Sequence, residues 1–137
     1  HDADWETHRD APHEHTRSTV KWMKQAGIDN QEVIDAILTH NHSHNGEREP
    51  ASQMEWALYT CDELTGLIVS STLVTPDKKM ESLTRESLMK KFNSKSFSAA
   101  VDRNQIRLGE TKLGIPFDEF VDIILTSMKK IAQEIGL

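Results

Sequence analysis

Apolar side chains recur three and four residues apart along most of this chain, the interval that gathers them on one face of a helix. Residues 1–12 are polar and close on Pro12, which reads as a helix end followed by a loop. Val20, Trp22, Met23 and Ala26 then mark a helix over 13–26, with Gly27 as its C-terminal stop. Asp29 or Asn30 caps the next one, which carries Val33, Ile34, Ile37 and Leu38. The run from Asn41 to Pro50 reads as a loop. Ser52 followed by Glu55 is a capping-box signature. It precedes a longer helix with Met54, Ala57, Leu58, Cys61, Leu64, Thr65 and Ile68 on one face, ending before Thr75-Pro76. A shorter amphipathic piece over 81–92 holds Leu83, Leu88, Met89 and Phe92. A polar stretch then gives one loop and a helix around Val101–Leu113. The last helix starts after Pro116 and carries Phe117, Phe120, Val121, Ile124, Leu125, Met128, Ile131 and Ile135. No internal repeat is present. The pattern predicts an all-α fold of roughly five to seven helices in a single domain over 1–137.

Composition narrows this further. Six glycines and four prolines are too few to turn the many short strands of a sandwich or barrel. The net charge of −6 argues against nucleic acid as a partner, because backbone binding needs a basic face. An acidic chain does suit a divalent cation. The one cysteine, Cys61, has no internal disulfide partner, so a cytoplasmic location is expected. No apolar run reaches membrane-spanning length and no signal peptide is seen, so no membrane association is expected.

The candidate chemistry sits near the start. All seven histidines fall within the first 44 residues. His1-Asp2 offers an imidazole and a carboxylate side by side, a borderline and a hard ligand together. His40 lies beside the Val33–Ile37 stripe of its helix, and Asp62 at the edge of the Leu58–Cys61–Thr65 stripe. A carboxylate at a core edge is costly unless paired or metal-bound, so both are candidate inward ligands; a helix cap or an ion pair would account for the same positions. Asp4 and Glu6 follow the first pair and are candidates to orient or deprotonate a water, or else exposed acids at a helix end. Lys95 and Arg103, near Phe97, are the candidate phosphate clamp among basic residues that otherwise form a solvated face. Trp5, Trp22 and Trp56 read as core or helix-contact residues, and Cys61 as a buried inert thiol. No H-E-x-x-H or C-x-x-C spacing occurs, which removes the zinc-protease and structural-zinc patterns.

The segments HDADWE, HEHT, AILTHN and ALYTCDELTGLIV, in that order, resemble the HD superfamily of metal-dependent phosphohydrolases. VTPDKK and KKFNSKSFSAAVDR further resemble a small bacterial subgroup of predicted hydrolases, so the likeness runs through nearly the whole chain. It implies an HD-like helical bundle in which His1, Asp2 and Asp62 are metal ligands. His40, and His15 with His13 as a close competitor, match the additional histidines of members that hold two metals. One or two divalent ions (Mn, Fe, Mg, Co, Ni or Zn) and a small phosphorylated substrate are implied, with Asp2 bridging metals or holding one while orienting water. The family's first histidine lies on a helix upstream of the His-Asp pair. This chain begins at that pair, so a preceding segment or a second chain is expected to complete the site. The activity implied is hydrolysis of a phosphate ester once that histidine is supplied; the alternative is a non-catalytic metal- or nucleotide-binding module of the same fold.

Overall fold

Local signals in the sequence set where the helices begin. Asn30 accepts a hydrogen bond from the Val33 backbone N–H through its side chain, Thr84 does the same for Ser87, and Asp102 for Asn104 and Gln105. Each satisfies donors that a first helical turn leaves without partners. In the computed structural model, which describes residues His1 to Leu137, they introduce three of eight α-helices, and no strand is present. The helices are α1 (Trp5–His8), α2 (Arg17–Gln25), α3 (Gln31–Thr39), α4 (His42–Asn45), α5 (Gln53–Leu73), α6 (Arg85–Asn93), α7 (Arg103–Leu113) and α8 (Phe117–Lys130), with a 3-10 turn at Met80–Ser82.

The all-α expectation holds, while the count exceeds it. Both α1, in the stretch that reads as a helix end, and α4, in the 41–50 stretch that reads as a loop, are only four residues long and lie where there is no apolar stripe. Periodicity cannot register an element of a single turn. None of the helices is long and apolar enough to cross a membrane.

The chain groups into two compact units, His1–Tyr59 and Thr60–Leu137. In the first, Val20 of α2 packs with Ile34 and Ile37 of α3, and Met23, Val33 and Leu38 close around them. Between these two helices the chain reverses through a Schellman turn. Gly27 adopts φ +76, its N–H bonds the Lys24 carbonyl, and the Ile28 N–H bonds that of Met23. Trp56 is buried as expected, but Trp22 is 44% exposed and stands outside the core. Its place one position off the Val20–Met23 pair turns it to solvent.

The start of α5 is held by a buried carboxylate. Ser52 Oγ accepts from the Glu55 N–H, and the Glu55 carboxylate reaches back to accept the Ala51 N–H. Arg48 donates to both Glu55 oxygens, which ties down the loop before α5.

The second unit has the larger core. Leu64, Leu67 and Ile68 of α5 are fully buried with Met80, Leu83, Leu88, Ile106 and Val121. Full burial of a side chain of this size stabilises by about 1.5–3 kcal/mol relative to exposure. At Gly109 of α7 a Cβ would meet the Phe120 ring of α8 at 2.9 Å, so the ring packs directly on the α7 backbone there. Ile131 and Ile135 lie beyond α8 and are 44% and 45% exposed, so the core stripe stops near Met128 and Ala132.

Candidate metal centre

The site in the first unit is built by bringing a turn and two helix ends onto the N-terminal pair. Asp4 is fully buried at the N-terminus of α1. Its Oδ1 accepts the Thr16 N–H at 3.1 Å and its Oδ2 the Thr19 N–H at 3.0 Å. These are orphan donors at the beginning of α2, capped by a carboxylate more than ten residues earlier rather than by a neighbour. The turn needs that anchor. Thr16 stands at φ +79, a left-handed conformation that is costly for a β-branched residue. Asn45 donates to the Thr16 hydroxyl and to the Leu38 carbonyl, and Asn41 donates to the Pro12 carbonyl, which fastens the turn to the end of α3.

That anchoring leaves His15 with little freedom. It is 4% exposed, its Nδ1 lies 2.7 Å from Asp4 Oδ1, and the Trp5 ring packs edge-on against it. An ionised carboxylate only accepts hydrogen bonds, so Nδ1 donates to Asp4 and Nε2 is the end turned away from it. Nε2 points at Asp2 Oδ1, 3.2 Å away. His40, at the C-terminal end of α3, is built the same way. Its Nδ1 donates to the Ile37 carbonyl at 2.6 Å, and its Nε2 lies 3.4 Å from the same Asp2 oxygen. His1 approaches the other carboxylate oxygen, Nε2 to Oδ2, at 3.2 Å. The imidazoles meet edge to face, with ring centroids 4.7 Å apart for His1 and His40 and 5.3 Å for His15 and His40.

Electrostatics favour the ionised carboxylates. Burial alone would raise Asp2, but the hydrogen bonds and positive potential of His1 and His40 hold it far below the usual range. Burial also opposes charge on Asp4, and the Thr19 and Thr16 amides together with His15 outweigh it. Asp2, His15 and His40 therefore present one carboxylate oxygen and two imidazole nitrogens within 4.8 Å of one another. Ligands about 2.1 Å from a tetrahedral ion lie about 3.4 Å apart, which is close to the two distances from Asp2 Oδ1. The donor set fits a first-row divalent cation.

The other histidines do not join. His13 is exposed beside Glu14, so of the two in HEHT it is His15 that turns inward. His8 bonds Ser18, His42 packs against Tyr59, and His44 bonds Ser43. Glu6 is exposed on α1. Asp4 is not the exposed acid that its neighbourhood in the sequence allows, since both of its oxygens are committed to protein donors.

This chain matches no family model, no curated protein and no solved structure. The site is therefore read from its own residues.

The remaining candidates belong to the second unit. Asp62 is half-buried on α5, beside Cys61, whose thiol burial pushes up to about 11. Lys95 and Arg103 line an open cleft of about 590 Å³ with Phe92, Asn93 and Arg107. Arg103 is occupied within its own loop. It donates to the carbonyls of Ser98 at 2.6 Å, Val101 at 2.7 Å and Phe97, and this binds residues 94–102 to the start of α7. The sequence held no sign of this role, because a guanidinium that gathers loop carbonyls has no fixed spacing.

Proposed function

We propose that the first unit carries the metal centre of a phosphohydrolase related to the HD superfamily. The observation behind this reading is that two buried imidazoles, each with Nδ1 held by a protein acceptor, aim Nε2 at a single oxygen of Asp2. Histidines that ligate metals are oriented in this way by a carboxylate or carbonyl behind the ring. A purely structural imidazole pair has no need to converge on one half-exposed carboxylate.

In this reading Asp2, His15 and His40 are ligands, with His1 beside them. A divalent cation held there would lower the pKa of a coordinated water towards neutrality and offset charge on a phosphoryl group. The chain's own contribution is placement. Asp2 stays ionised across the physiological range, Nδ1 of His15 and of His40 is engaged by a protein acceptor so that Nε2 is the end turned to the site, and the Trp5 ring packs against one side of His15. Hydrolysis then joins a water oxygen to phosphorus as the ester P–O bond breaks, and the leaving alcohol takes up a proton. Mixed oxygen and nitrogen donors suit Mn, Fe, Co, Ni or Zn better than an all-oxygen site would.

The test is a hydrolysis screen on the purified chain with p-nitrophenyl phosphate and nucleoside monophosphates, each with added Mn²⁺, Mg²⁺, Co²⁺ or Ni²⁺. Metal-dependent release of phosphate that His40→Ala abolishes is the expected result. Metal uptake with no hydrolysis of any ester would reject the enzyme and leave a non-catalytic metal-binding module. Neither uptake nor hydrolysis rejects both.

A further inference from the structure

Asp4 does two jobs that the reading above does not assign, and together they define a role. It is the only acid of the N-terminal segment that is fully buried, and it makes three hydrogen bonds: to the Thr16 and Thr19 amides and to His15 Nδ1. The two amides come from the first turn of α2 and from the left-handed residue before it. Asp4 Oδ1 is shared between the Thr16 N–H and the His15 ring, so the carboxylate is fixed by the backbone before it meets the imidazole. Nothing else touches Nδ1 of His15 at hydrogen-bonding distance.

We infer that Asp4 is a positioning residue that fixes the proton of His15 on Nδ1 and the plane of its ring, so that Nε2 is kept as a metal donor. The inference rests on the metal reading of Asp2, His15 and His40. It replaces the expectation that Asp4 handles a water proton, because a carboxylate with both oxygens on buried protein donors is not presented to solvent. His40 is held instead by a backbone carbonyl, which no side-chain substitution removes. His15 is thus the one imidazole of the pair whose orientation depends on a replaceable group.

The discriminating substitution is Asp4→Asn. With the asparagine oxygen on the Thr19 amide, its NH₂ takes the place of Oδ1, where it donates to His15 Nδ1 and leaves the Thr16 N–H without its acceptor. The proton moves to Nε2, where it blocks coordination while still bonding Asp2. Histidine ¹⁵N shifts in the metal-free protein read this directly. The wild type should show His15 with Nδ1 protonated, and Asp4→Asn should show Nδ1 unprotonated and Nε2 protonated, with His40 unchanged. Zn²⁺ affinity measured by calorimetry should fall about 10–100-fold, the usual cost of losing a group that orients a ligand. Asp4→Glu, which restores a carboxylate, should return Nδ1 protonation at least in part. An unprotonated Nδ1 in the wild type overturns the proposal, and so does an Asp4→Asn protein with unaltered His15 shifts and Zn²⁺ affinity. If Asp4→Asn fails to fold, the wild-type shifts alone still decide where the proton sits. Wild-type protein that takes up no Zn²⁺ rejects the metal reading, and the nitrogen shifts then judge the Asp4–His15 link by itself.

Discussion

Glu55 offers a stability test that reads only the first unit. Its carboxylate is almost wholly buried, accepts both Nη groups of Arg48 and the Ala51 N–H, and lies near the Thr39 hydroxyl. Arg48 chiefly, with the Ala51 amide and Ser52, outweighs the opposing effect of burial and brings its pKa from 4.5 down to about 2. A depressed carboxyl stabilises the fold above the unfolded-state value, and the gain is lost as pH falls through the folded-state value. The window therefore runs from about pH 4.5 down to about pH 2. A gap of that size corresponds to at most about 3 kcal/mol. Arg48 is half-exposed, so water screens the pair and about 1–2 kcal/mol is the better expectation. Glu55→Gln keeps the shape and removes the charge. All three tryptophans lie at or before Trp56, so their fluorescence during urea unfolding follows this unit alone. Wild type should exceed Glu55→Gln by about 1–2 kcal/mol at pH 7, and the difference should shrink towards zero near pH 2. An equal gap at both pH values would refute the electrostatic account, and no gap at pH 7 would refute the structural one.

Other substitutions probe separate links. Gly109→Ala sets a gain in helix propensity of about 1 kcal/mol against a methyl 2.9 Å from the buried Phe120 ring. Overpacking of this kind costs about 1–3 kcal/mol, so thermal unfolding should show a net loss that Phe120→Leu partly relieves. Leu67→Ala, at a fully buried position, should cost about 2–5 kcal/mol by denaturant unfolding followed through far-UV circular dichroism. Asn30→Ala removes the side-chain acceptor for Val33 and should cost about 1 kcal/mol in the tryptophan-detected transition. Cys61, its thiol pushed up to about 11 by burial, should react with a thiol reagent at pH 7.5 far more slowly than free cysteine, and rapid labelling of the native protein would contradict that burial.

The parts of the fold legible in the sequence are those with long stripes or local caps. α3, α5 and α8 each join an apolar repeat to a cap residue or a proline at the start, and their positions follow from those signals. The four-residue α4 carries neither, lies in a stretch that reads as a loop, and emerges only from backbone geometry. The same division runs through the site. His40 was readable because helical phase sets it beside the Val33–Ile37 stripe. His15 could not be told from His13, since only the strained turn at Thr16, held by Asp4 and Asn45, decides which imidazole faces inward. Asp4 itself was hidden because it caps a helix twelve and fifteen residues away, a long-range bond that leaves no spacing rule behind. Trp22 shows the converse error. A large apolar residue within a helical stripe reads as a core or helix-contact residue, yet one step of helical rotation leaves Trp22 exposed to water.

The central claim is that Asp2, His15 and His40 converge in order to hold a cation, and calorimetric titration of the metal-free chain with Zn²⁺ and Mn²⁺ tests it most directly. Saturable binding should appear in the wild type, weakened by more than about 100-fold in both His15→Ala and His40→Ala, and unaffected by His13→Ala, whose ring faces solvent. Absence of binding in the wild type, or binding that survives loss of both His15 and His40, would contradict the account.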